Sequence, residues 1–502
     1  MSAVTHSLAR LLDGLAPLPR DVEVSDLTQD GRAARPGCAF LAVRGSAEHG
    51  LSFAPQAVAN GARAVLWEPA PVAVVPDLPS DIVIAPVPNL REHTSAIADR
   101  FFGAPSQGLS IAGVTGTNGK TTCAYLLAQA LEIAGRPAAY MGTIGTGRPR
   151  ALRASALTTG DAITVQRTLS ELRRGGAESV AMEVSSHALD QSRVGAVRFR
   201  TAAFTNLTRD HLDYHGSMEN YGAAKTRLFT RADLKSRVIN VDDAFGRQLA
   251  IDPKGRGRLI VTSRGHQSHT RSAAGFVRAM HVSLSPHGIE VEFDSSWGTG
   301  ALTAPLVGDF NDDNLLTVIA VLLDWDLDLD QVIRVLSQVR AAPGRMETFG
   351  GTNAPLAVVD YAHTPDALRK ALSAARAHCT GRLTVVFGCG GDRDAGKRPL
   401  MGAIAAELAD DILLTDDNPR TESPETIVAD IAKGIPAGRA FRVDHDRGNA
   451  IAASLAGAAS SDVVLIAGKG HEDYQIYGRE KRAFSDQQVV TAALGARAGG
   501  AA

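Results

Sequence analysis

Residues 113–122 read GVTGTNGKTT, and this stretch sets the class of fold. The apolar segment LSIAGV leads into it and suits a buried parallel strand, whereas CAYLLAQALEIAG follows it with apolar residues at helical spacing. Strand, glycine-rich turn, lysine, hydroxyl residue and helix come in the order that a phosphate-binding loop requires. The stretch therefore predicts a nucleotide phosphate site at the end of a strand.

Each residue type in this loop has a physical role in holding phosphate. Gly116 and Gly119 let backbone N–H groups turn inward without a Cβ clash, and the helix N-terminus adds partial positive charge. Lys120 can reach the outer phosphates, and Thr121 can place its hydroxyl on Mg²⁺. Val114 stands where the strict pattern has its first glycine, so a plain strand–helix turn is the alternative. The flanking strand and amphipathic helix favour the phosphate site.

The composition is that of a globular protein with more than one core. A chain of 502 residues is long enough for about two to four domains. The formal charge of −2 gives no global electrostatic reason to expect nucleic acid or an anionic membrane as a partner. The four cysteines form no CxxC pair, so neither a zinc ribbon nor a disulfide framework is indicated.

No segment predicts export or membrane insertion. The N-terminal stretch is amphipathic and carries Arg10 and Asp13, unlike a signal peptide. No apolar run approaches the roughly 20 residues of a membrane span. We therefore expect a cytoplasmic protein, monomeric by default, that acts on small molecules and binds neither nucleic acid nor membrane.

Apolar strands alternate with helical patterns along the chain, which predicts an α/β fold of three domains. Residues 1–91 are typical of a small α/β domain, to which the family resemblance described below assigns the binding of UDP. Residues 92–342 are typical of a central P-loop-type mononucleotide-binding domain with a mostly parallel sheet, and an antiparallel excursion is expected within 264–300. Residues 343–502 are typical of a Rossmann-like domain whose strands end in polar clusters, where open α/β sheets bind ligands.

Two strand ends of the central domain carry candidate metal ligands. Glu183 closes an apolar strand, and Mg²⁺ prefers carboxylate oxygen, although a solvated strand-end carboxylate is the alternative. After the next strand come Asp210, His211, Asp213 and His215. Histidines this close can bind zinc, but no cysteine or third spaced ligand completes such a site. His211 is a better candidate for a Mg²⁺ or substrate contact, and a turn rich in capping residues is the alternative.

Ten motifs occur in the order found in Mur ligases, the ATP-dependent amide-forming enzymes of peptidoglycan synthesis. The chain resembles the branch of that family that adds the third residue of the stem peptide, and the resemblance covers residues 92–480. The motifs are TGTNGKTT, TTGD (158–161), MEVSSHALDQSRV, NLTRDHLDYHG, YGAAKTRLF, PGRME (343–347), DYAHTPDAL (360–368), FGCGGDRDAGKRPLM (387–401), TDDNPRTE (415–422) and GKGHEDYQ (468–475).

This resemblance implies a set of nucleotide and metal residues. The residues expected to bind ATP are Gly116, Thr117, Asn118, Gly119, Lys120, Thr121, Thr122, Asn314, Arg345, Asp360 and His363. Two Mg²⁺ ions are expected, with Thr121, Glu183, His211 and Lys225 as ligands. The resemblance gives catalytic roles to Lys120, Glu183, His211 and Lys225.

Lys225 matches the lysine that the family carries as a carbamate. An ammonium cannot ligate Mg²⁺, whereas addition of CO₂ converts the side chain from a cation into an anion. That reaction needs a locally neutral amine, which a metal site can favour. Judged from the residue alone, an exposed helix lysine is the alternative.

The resemblance also implies where the two other substrates bind. The UDP-sugar-peptide would be held by Thr158, Thr159, Ser185, Gln191 and Arg193. The incoming amino acid would be held by Arg393, Asp417, Asn418, Pro419, Arg420, Gly468 and Glu472.

In this branch the sequence DNPR, residues 417–420, accompanies meso-diaminopimelate, whose distal centre bears both a carboxylate and an ammonium. A planar guanidinium can grip that carboxylate in a bidentate way, so Arg420 predicts selection against L-lysine. Glu472 suits the ammonium. Judged from the residues alone, DNPR is an Asx–Pro turn with a surface arginine.

The resemblance thus implies a ligase that uses ATP to join meso-diaminopimelate to UDP-MurNAc-L-Ala-D-Glu through an acyl phosphate. A lysine-adding member of the branch and a folylpolyglutamate synthetase-like ligase are the nearest alternatives, and DNPR and MEVSSHALDQ argue against both. A nucleotide-gated regulatory protein with an idle site is an alternative of another class. An idle site would have no reason to keep all five side-chain types that the chemistry needs, and this chain keeps them at Lys120, Thr121, Glu183, His211 and Lys225.

Overall fold

The computed structural model describes residues 5–45, 48–71, 73–265, 273–285, 288–351 and 353–499. The chain forms two compact units. Unit 1 comprises Met1–Lys120 and Gly135–Ile260, and unit 2 comprises Thr121–Ala134 and Val261–Ala502. The boundary between them follows directly after the lysine of the phosphate loop.

Unit 1 begins with a four-stranded parallel sheet of order β3-β4-β5-β6. Successive residues of a strand point to opposite faces, so Leu41 and Leu66 enter one apolar core while Phe40 and Val65 enter another. The elements of this part are β1 (His6–Ser7), α1 (Leu8–Leu11), β2 (Glu23–Val24), β3 (Asp26–Thr28), β4 (Cys38–Ala42), α2 (Ala54–Ala59), β5 (Ala64–Trp67), β6 (Val83–Pro86) and α3 (Leu90–Phe101).

The rest of unit 1 is built on a sheet of order β10-β9-β8-β11-β7-β12-β13, in which β8, β11, β7, β12 and β13 run parallel. Parallel strands bring their carboxyl ends to one edge, so Thr115, Glu183 and Phe204 end neighbouring strands. The elements are β7 (Ser110–Thr115), α4 (Lys120–Ile133), β8 (Ala138–Gly142), β9 (Gly145–Arg148), β10 (Ala151–Arg153), α5 (Ala162–Arg174), β11 (Ser179–Glu183), α6 (Ser186–Asp190), β12 (Thr201–Phe204), α7 (Leu212–His215), α8 (Met218–Thr226), β13 (Ser236–Asn240), α9 (Ala244–Ile251) and β14 (Arg258–Ser263). Helix α4 after Lys120 belongs to unit 2, and the chain enters unit 2 again within β14.

Unit 2 contains an antiparallel meander, which confirms the excursion predicted within 264–300 for the residues described there. Strand β15 (Gly275–Ser285) pairs with β16 (Gly288–Ser295), and β16 pairs with β17 (Gly298–Ala304). Residues 266–272 and 286–287 lie outside the described residues. Helices α10 (Asn311–Asp324) and α11 (Leu329–Leu336) follow.

A second sheet in unit 2 has the order β18-β19-β23-β20-β21-β22, and only β18 runs antiparallel to its neighbour. Val385 faces one apolar core with helices α12–α14, and Val386 faces the opposite core with α15 and α16, so both faces are covered. The elements are β18 (Glu347–Gly350), β19 (Leu356–Asp360), α12 (Pro365–Ala377), β20 (Leu383–Phe387), α13 (Lys397–Leu408), β21 (Asp411–Leu414), α14 (Pro424–Ala432), β22 (Arg442–Val443), α15 (Arg447–Gly457), β23 (Val463–Ala467), β24 (Tyr474–Tyr477), β25 (Glu480–Ala483) and α16 (Asp486–Gly499).

A buried ion pair joins the first residues of α15 and α16. Arg447 Nε and Nη2 lie 2.7 and 2.8 Å from the carboxylate oxygens of Asp486, and both side chains are fully buried. The guanidinium also donates to the carbonyl oxygens of Asp416, at 3.4 Å, and Ala467, at 3.1 Å. The pair therefore stabilises the chain just beyond the ends of β21 and β23.

These sheets confirm the predicted fold class, since parallel strands alternate with helices in both units. The predicted domain boundaries after residues 91 and 342 stay a prediction, because the two compact units divide the chain elsewhere. Within the described part of the chain, no helix combines the length and apolar character that a membrane crossing requires.

Candidate active site

The phosphate loop has the tight geometry that its glycines predict. Gly119 adopts a left-handed conformation, with φ of 83°. A Cβ at Gly116 would overlap the hydroxyl of Thr205, which donates to the carbonyl of Asn118 at 2.6 Å. Asn206 fastens the loop further, because its carbonyl accepts from Thr117 N at 2.9 Å. The segment after β12 thus holds the loop in shape.

Two lysines point at one carbonyl oxygen of this loop. Lys120 Nζ donates to the carbonyl oxygens of Gly116 and Thr117 at 3.0 and 2.9 Å. Lys225 Nζ, from helix α8, donates to the same Gly116 oxygen at 2.9 Å. The loop therefore brings two lysine amines together where a phosphate would bind.

Lys225 is buried, with 1% of its surface exposed, so the alternative of an exposed helix lysine is wrong. Burial lowers the pKa of the Lys225 ammonium well below its usual range, and the charge of Lys120 lowers it further. Its nitrogen lies 4.5 Å from the centre of the Tyr221 ring, and Tyr221 Oη is 3.2 Å from Thr117 Oγ1. These surroundings favour a neutral amine.

A cleft of about 300 Å³ in unit 1 brings seven predicted residues together. It joins Lys120 of the phosphate loop and Lys225 of α8 to residues expected to hold the sugar-peptide. The predicted residues that line it are Lys120, Thr158, Thr159, Ser185, Arg193, His211 and Lys225. Sequence reasoning missed the other lining residues, which are Leu157, Ser186, His187 and Tyr221. His187 and Tyr221 belong to two of the motifs quoted above. Membership in those motifs was the sequence signal that could have identified them as site residues.

Arg193 connects this cleft to a second one. Its guanidinium donates to the carbonyl of Thr159 at 2.9 Å and to Gln191 Oε1 at 2.7 and 3.1 Å. Gln191 and Arg193 both line the neighbouring cleft of about 760 Å³, together with Arg44 and Glu68. The predicted sugar-peptide residues therefore form a continuous path within unit 1.

Glu183 is fully buried, so the alternative of a solvated carboxylate is wrong. Its Oε1 accepts from Thr143 N at 2.9 Å and from the hydroxyl of Tyr140, and its Oε2 lies 3.3 Å from Thr143 Oγ1. Thr143 Oγ1 is 3.0 Å from Thr158 Oγ1, which lines the cleft. Thr143 therefore lies between the Glu183 carboxylate and Thr158 in the wall of the cleft.

His211 belongs to a cluster of aromatic rings at the N-terminus of α7. Its ring centre lies 5.0 Å from that of His187 and 6.0 Å from that of Tyr221. Burial lowers the pKa of His187, and the neighbouring charges of His211 and His215 lower it further. His215 Nε2 is 3.0 Å from Ser186 Oγ, so one ring nitrogen of His215 is engaged by a neighbouring helix.

Among the residues that the structure describes, no three His, Cys, Asp or Glu side chains are grouped to hold a metal ion. The predicted set contains only two such residues, Glu183 and His211, together with Thr121 and Lys225. The carboxylate and hydroxyl oxygens of this set suit Mg²⁺, and a carbamate on Lys225 would add a further anionic oxygen.

The nucleotide residues predicted in unit 2 fall into two places. Asp360 at the end of β19 accepts from Met346 N at 2.8 Å and from Ala362 N at 2.9 Å. Burial raises the pKa of Asp360, and the nearby charge of Arg345 opposes that shift. Arg345 stacks 5.1 Å from the Tyr361 ring centre, and its buried Nε has no hydrogen-bond partner in the described part of the chain.

His363 lies beside this group, with Nδ1 2.8 Å from the carbonyl oxygen of Tyr361. Asn314 is separate, because it is 5% exposed on α10 and its Nδ2 donates to Asn311 at 2.8 Å. Its Oδ1 accepts from Cys123 Sγ at 3.2 Å. The second N–H of Nδ2 and the second lone pair of Oδ1 are not used by these two bonds, so a nucleotide contact by Asn314 stays a prediction.

The residues predicted to hold the amino acid surround a lysine that sequence reasoning did not select. Asn418 Nδ2 donates to Glu472 Oε2 at 2.9 Å. Lys469 Nζ lies 3.2 Å from Asn418 Oδ1, 3.2 Å from Glu472 Oε2 and 3.4 Å from Asp417 Oδ1. Lys469 lies between two glycines in GKGHE, where a lysine is usually exposed. Its position in that motif was the only sequence signal that could have identified it as part of the site.

Arg420 is half-buried rather than a free surface arginine. It has a φ of 52°, its N–H donates to the carbonyl of Ile476 at 3.0 Å, and its Nη1 donates to the carbonyl of Gly391 at 2.7 Å. Pro419 is buried, whereas Arg393 is exposed. Strand β24 thus fixes the backbone that presents the guanidinium.

The loop at residues 468–472 links the two groups of unit 2. Gly468 N donates to the carbonyl of Asp360 at 3.1 Å. A Cβ at Gly470 would collide with Tyr361, and a Cβ at Gly344 would collide with the backbone of Gly470. Farther along the loop, Glu472 contacts Asn418. The same five residues therefore touch the nucleotide group and the amino-acid group.

Comparisons with known proteins agree with this geometry. Three family models match the chain: "Mur ligase family, catalytic domain" over residues 23–102, "Mur ligase middle domain" over 114–322, and "Mur ligase, glutamate ligase domain" over 344–470. The chain is similar to UDP-N-acetylmuramoyl-L-alanyl-D-glutamate–2,6-diaminopimelate ligases of Xanthomonas campestris pv. campestris (strain 8004) and Pseudomonas aeruginosa. It is 49% identical to the first over 496 residues, which is 98% of each chain, and 49% identical to the second over 477 residues, which is 95% of this chain and 96% of the other.

A solved structure of a ligase with the same name superposes with a TM-score of 0.71. That protein is 34% identical in sequence, and the match covers 98% of this chain and 99% of the other. Family, relatives and fold neighbour therefore agree along almost the whole chain.

Proposed function

Because the chain belongs to the Mur ligase family, we propose that it catalyses the reaction of its MurE-type members. Mur ligases are ATP-dependent enzymes that form amide bonds in peptidoglycan precursor synthesis. The reaction proposed for this chain joins meso-diaminopimelate to UDP-MurNAc-L-Ala-D-Glu. The relatives at 49% identity carry the name of that activity.

The proposed chemistry has two steps. First, the γ-carboxylate of the D-glutamyl residue attacks the γ-phosphorus of ATP, which releases ADP and leaves an acyl phosphate. Second, the amine of meso-diaminopimelate attacks the acyl carbon, phosphate leaves, and the nitrogen loses a proton to give UDP-MurNAc-tripeptide. This sequence needs alignment and charge neutralisation more than a protein nucleophile.

One observation carries the proposal, which is the meeting of phosphate-binding and peptide-binding residues in a single cleft. Lys120 and Lys225 lie at one wall, and Thr158, Thr159 and Arg193 lie in the same cleft. A carboxylate held by hydroxyls and a guanidinium would stand beside Lys120, which would neutralise phosphate, and beside Lys225, which would carry the carbamate. Phosphoryl transfer to a substrate carboxylate is the reaction that this arrangement supports.

Mg²⁺, as two ions, would supply further charge neutralisation for the phosphates. Thr121, Glu183, His211 and a carbamate on Lys225 would hold it. The buried and readily deprotonated amine of Lys225 supports the carbamate, since a neutral amine is the form that adds CO₂. His211 supports the site by lining the same cleft as Lys225.

Selection of the amino acid would rest on the DNPR segment. Arg420 would bind the distal carboxylate of meso-diaminopimelate, and Glu472 would bind its distal ammonium. The fixed backbone of Arg420 supports this role, because a pre-organised guanidinium loses little entropy on binding. L-Lysine would leave that guanidinium without a carboxylate partner.

The decisive test is phosphate release from ATP in the presence of UDP-MurNAc-L-Ala-D-Glu, with meso-diaminopimelate compared with L-lysine. We expect release with meso-diaminopimelate alone, and a Lys120→Ala variant measures the background. Release with L-lysine would retain the mechanism and remove the specificity, and release with neither would overturn the proposal. The proposal places the enzyme in the cytoplasm as a monomer, which light scattering of the purified chain would check.

A further inference from the structure

Lys469 is a fully buried cation in direct contact with the proposed amino-acid site. Its side chain is 0% exposed. The ammonium contacts three residues of that site, namely Asp417, Asn418 and Glu472, at 3.2 to 3.4 Å. Its nitrogen also lies 5.5 Å from the centre of the Tyr474 ring. A buried ammonium with this many acidic and amide contacts is a fixed part of the site.

The charges around Lys469 define what the site accepts. Asp417 and Glu472 each contribute a negative charge, with side chains 9% and 19% exposed. Lys469 cancels one of these charges. Arg420 adds a positive charge for a carboxylate, so one unbalanced negative charge remains for one ammonium.

We propose that Lys469 is a specificity-determining residue that makes the site select an amino acid whose distal end is a zwitterion. The proposal rests on the proposed function, because it concerns which amino acid that reaction uses. Meso-diaminopimelate brings one carboxylate and one ammonium to this end, whereas L-lysine brings an ammonium alone. Lys469 acts through Asp417 and Glu472 and is therefore a positioning residue rather than a catalytic one.

The physical reason is the balance of charge in a desolvated site. Without Lys469, two carboxylates would face the ligand, and a ligand of greater positive charge would be favoured. With Lys469, the ammonium of L-lysine enters a site that already holds the positive charges of Lys469 and Arg420, and L-lysine brings no distal carboxylate to offset them, which is unfavourable. Charge at Lys469 thus works against L-lysine independently of the carboxylate contact offered by Arg420.

The test measures kcat and KM for meso-diaminopimelate and for L-lysine in the full-length enzyme and in Lys469→Met. We expect kcat/KM for meso-diaminopimelate, divided by kcat/KM for L-lysine, to fall by about tenfold or more in Lys469→Met. The fall should come from a higher KM for meso-diaminopimelate, and KM for ATP should stay the same. Lys481→Met is the matched control, since Lys481 is exposed, lies 3.7 Å from the same Tyr474 ring and carries the same charge. The control should leave the ratio unchanged.

Two further variants keep the test decisive if Lys469→Met folds poorly. Lys469→Arg keeps the charge and should keep most of the preference. Lys469→Met combined with Asp417→Asn restores the charge balance and should recover preference relative to Lys469→Met alone. An unchanged ratio in Lys469→Met, or equal losses in the methionine and arginine variants, would overturn the proposal. Failure of the proposed function would be distinct, because the wild-type enzyme would then not use meso-diaminopimelate.

Discussion

The side-chain nitrogens of Lys120 and Lys225 donate hydrogen bonds to one acceptor, the carbonyl oxygen of Gly116, at 3.0 and 2.9 Å. Two cations beside one oxygen destabilise each other. The pKa of Lys225 is lowered mainly by burial and secondly by Lys120, so Lys225 loses its proton more readily than an exposed lysine. The pair therefore places, beside Lys120, an amine that loses its proton more readily than that of an exposed lysine.

Lys225→Ala should lower kcat by about 10²-fold or more, because it removes the side chain proposed to carry the carbamate. Added formate or another short carboxylate should restore part of the activity by occupying the place of the carbamate. The measurement is phosphate release at saturating substrates, with and without formate. Lys254→Ala, a change at an exposed lysine, is the control. Unchanged activity in Lys225→Ala would contradict the carbamate assignment.

Arg420→Ala should lower kcat/KM for meso-diaminopimelate, because the distal carboxylate loses a charged partner. The expected loss of transition-state stabilisation is about 2–5 kcal/mol. KM for ATP should stay near the wild-type value. Steady-state kinetics with each substrate varied in turn measures both effects. Arg442→Ala removes an exposed arginine of β22 in the same unit and should have little effect. Equal losses with meso-diaminopimelate and L-lysine would argue for a purely structural Arg420.

Asp312→Asn should stabilise the protein at alkaline pH. Burial raises the pKa of Asp312 to about 7, although Arg264 at 2.8 Å opposes the shift. The folded chain then binds more protons at this carboxyl than the unfolded chain does between about pH 4 and pH 7, so stability falls as pH rises through that window. The variant should melt about 5 °C above wild type at pH 8 and near wild type at pH 4.

Scanning calorimetry across that pH range is the measurement. Asp313→Asn is the matched control, because Asp313 pairs with the same Arg264 from a more exposed position. A constant difference in melting temperature between Asp312→Asn and wild type at all pH values would show that the carboxyl does not titrate in this window.

Asp486→Ala should destabilise unit 2 by about 3–5 kcal/mol, because it leaves the fully buried Arg447 without its counter-charge. Urea unfolding followed by circular dichroism measures the loss. Replacing both residues, as Arg447→Met with Asp486→Leu, should be much closer to wild type, since no unpaired charge then remains. A double variant as unstable as the single one would indicate that the contacts of Arg447 with backbone carbonyls carry the stability.

The sequence predicts the fold class and the phosphate loop because both depend on local patterns. Strand, turn and helix around Gly116 and Gly119 are read within one short stretch, and period-2 and period-3.6 apolar spacing identifies the flanking elements. The antiparallel strands of unit 2 are recognised in the same way. These features can be predicted without knowing which distant residues come into contact.

The burial of single charged residues cannot be read in this way. Lys225 is buried because its helix packs against a loop more than a hundred residues earlier in the chain. Lys469 is buried because Asp417, Asn418 and Glu472 converge on it from two strand ends. Residue type alone favours exposure for both, and only the tertiary contacts decide otherwise.

The five-residue loop from Gly468 to Glu472 also limits how this enzyme could be redesigned. Its first residue bonds to Asp360 on the nucleotide side, its middle residue packs on Tyr361, and its last residue contacts Asn418 on the amino-acid side. A substitution at Gly468 or Gly470 would therefore disturb the contacts with Asp360 and Tyr361, whereas the Lys469 side chain reaches Asp417, Asn418 and Glu472. Arg420 lies outside this loop and is anchored by strand β24, so a change of its side chain would leave the contacts of the loop with Asp360 and Tyr361 in place.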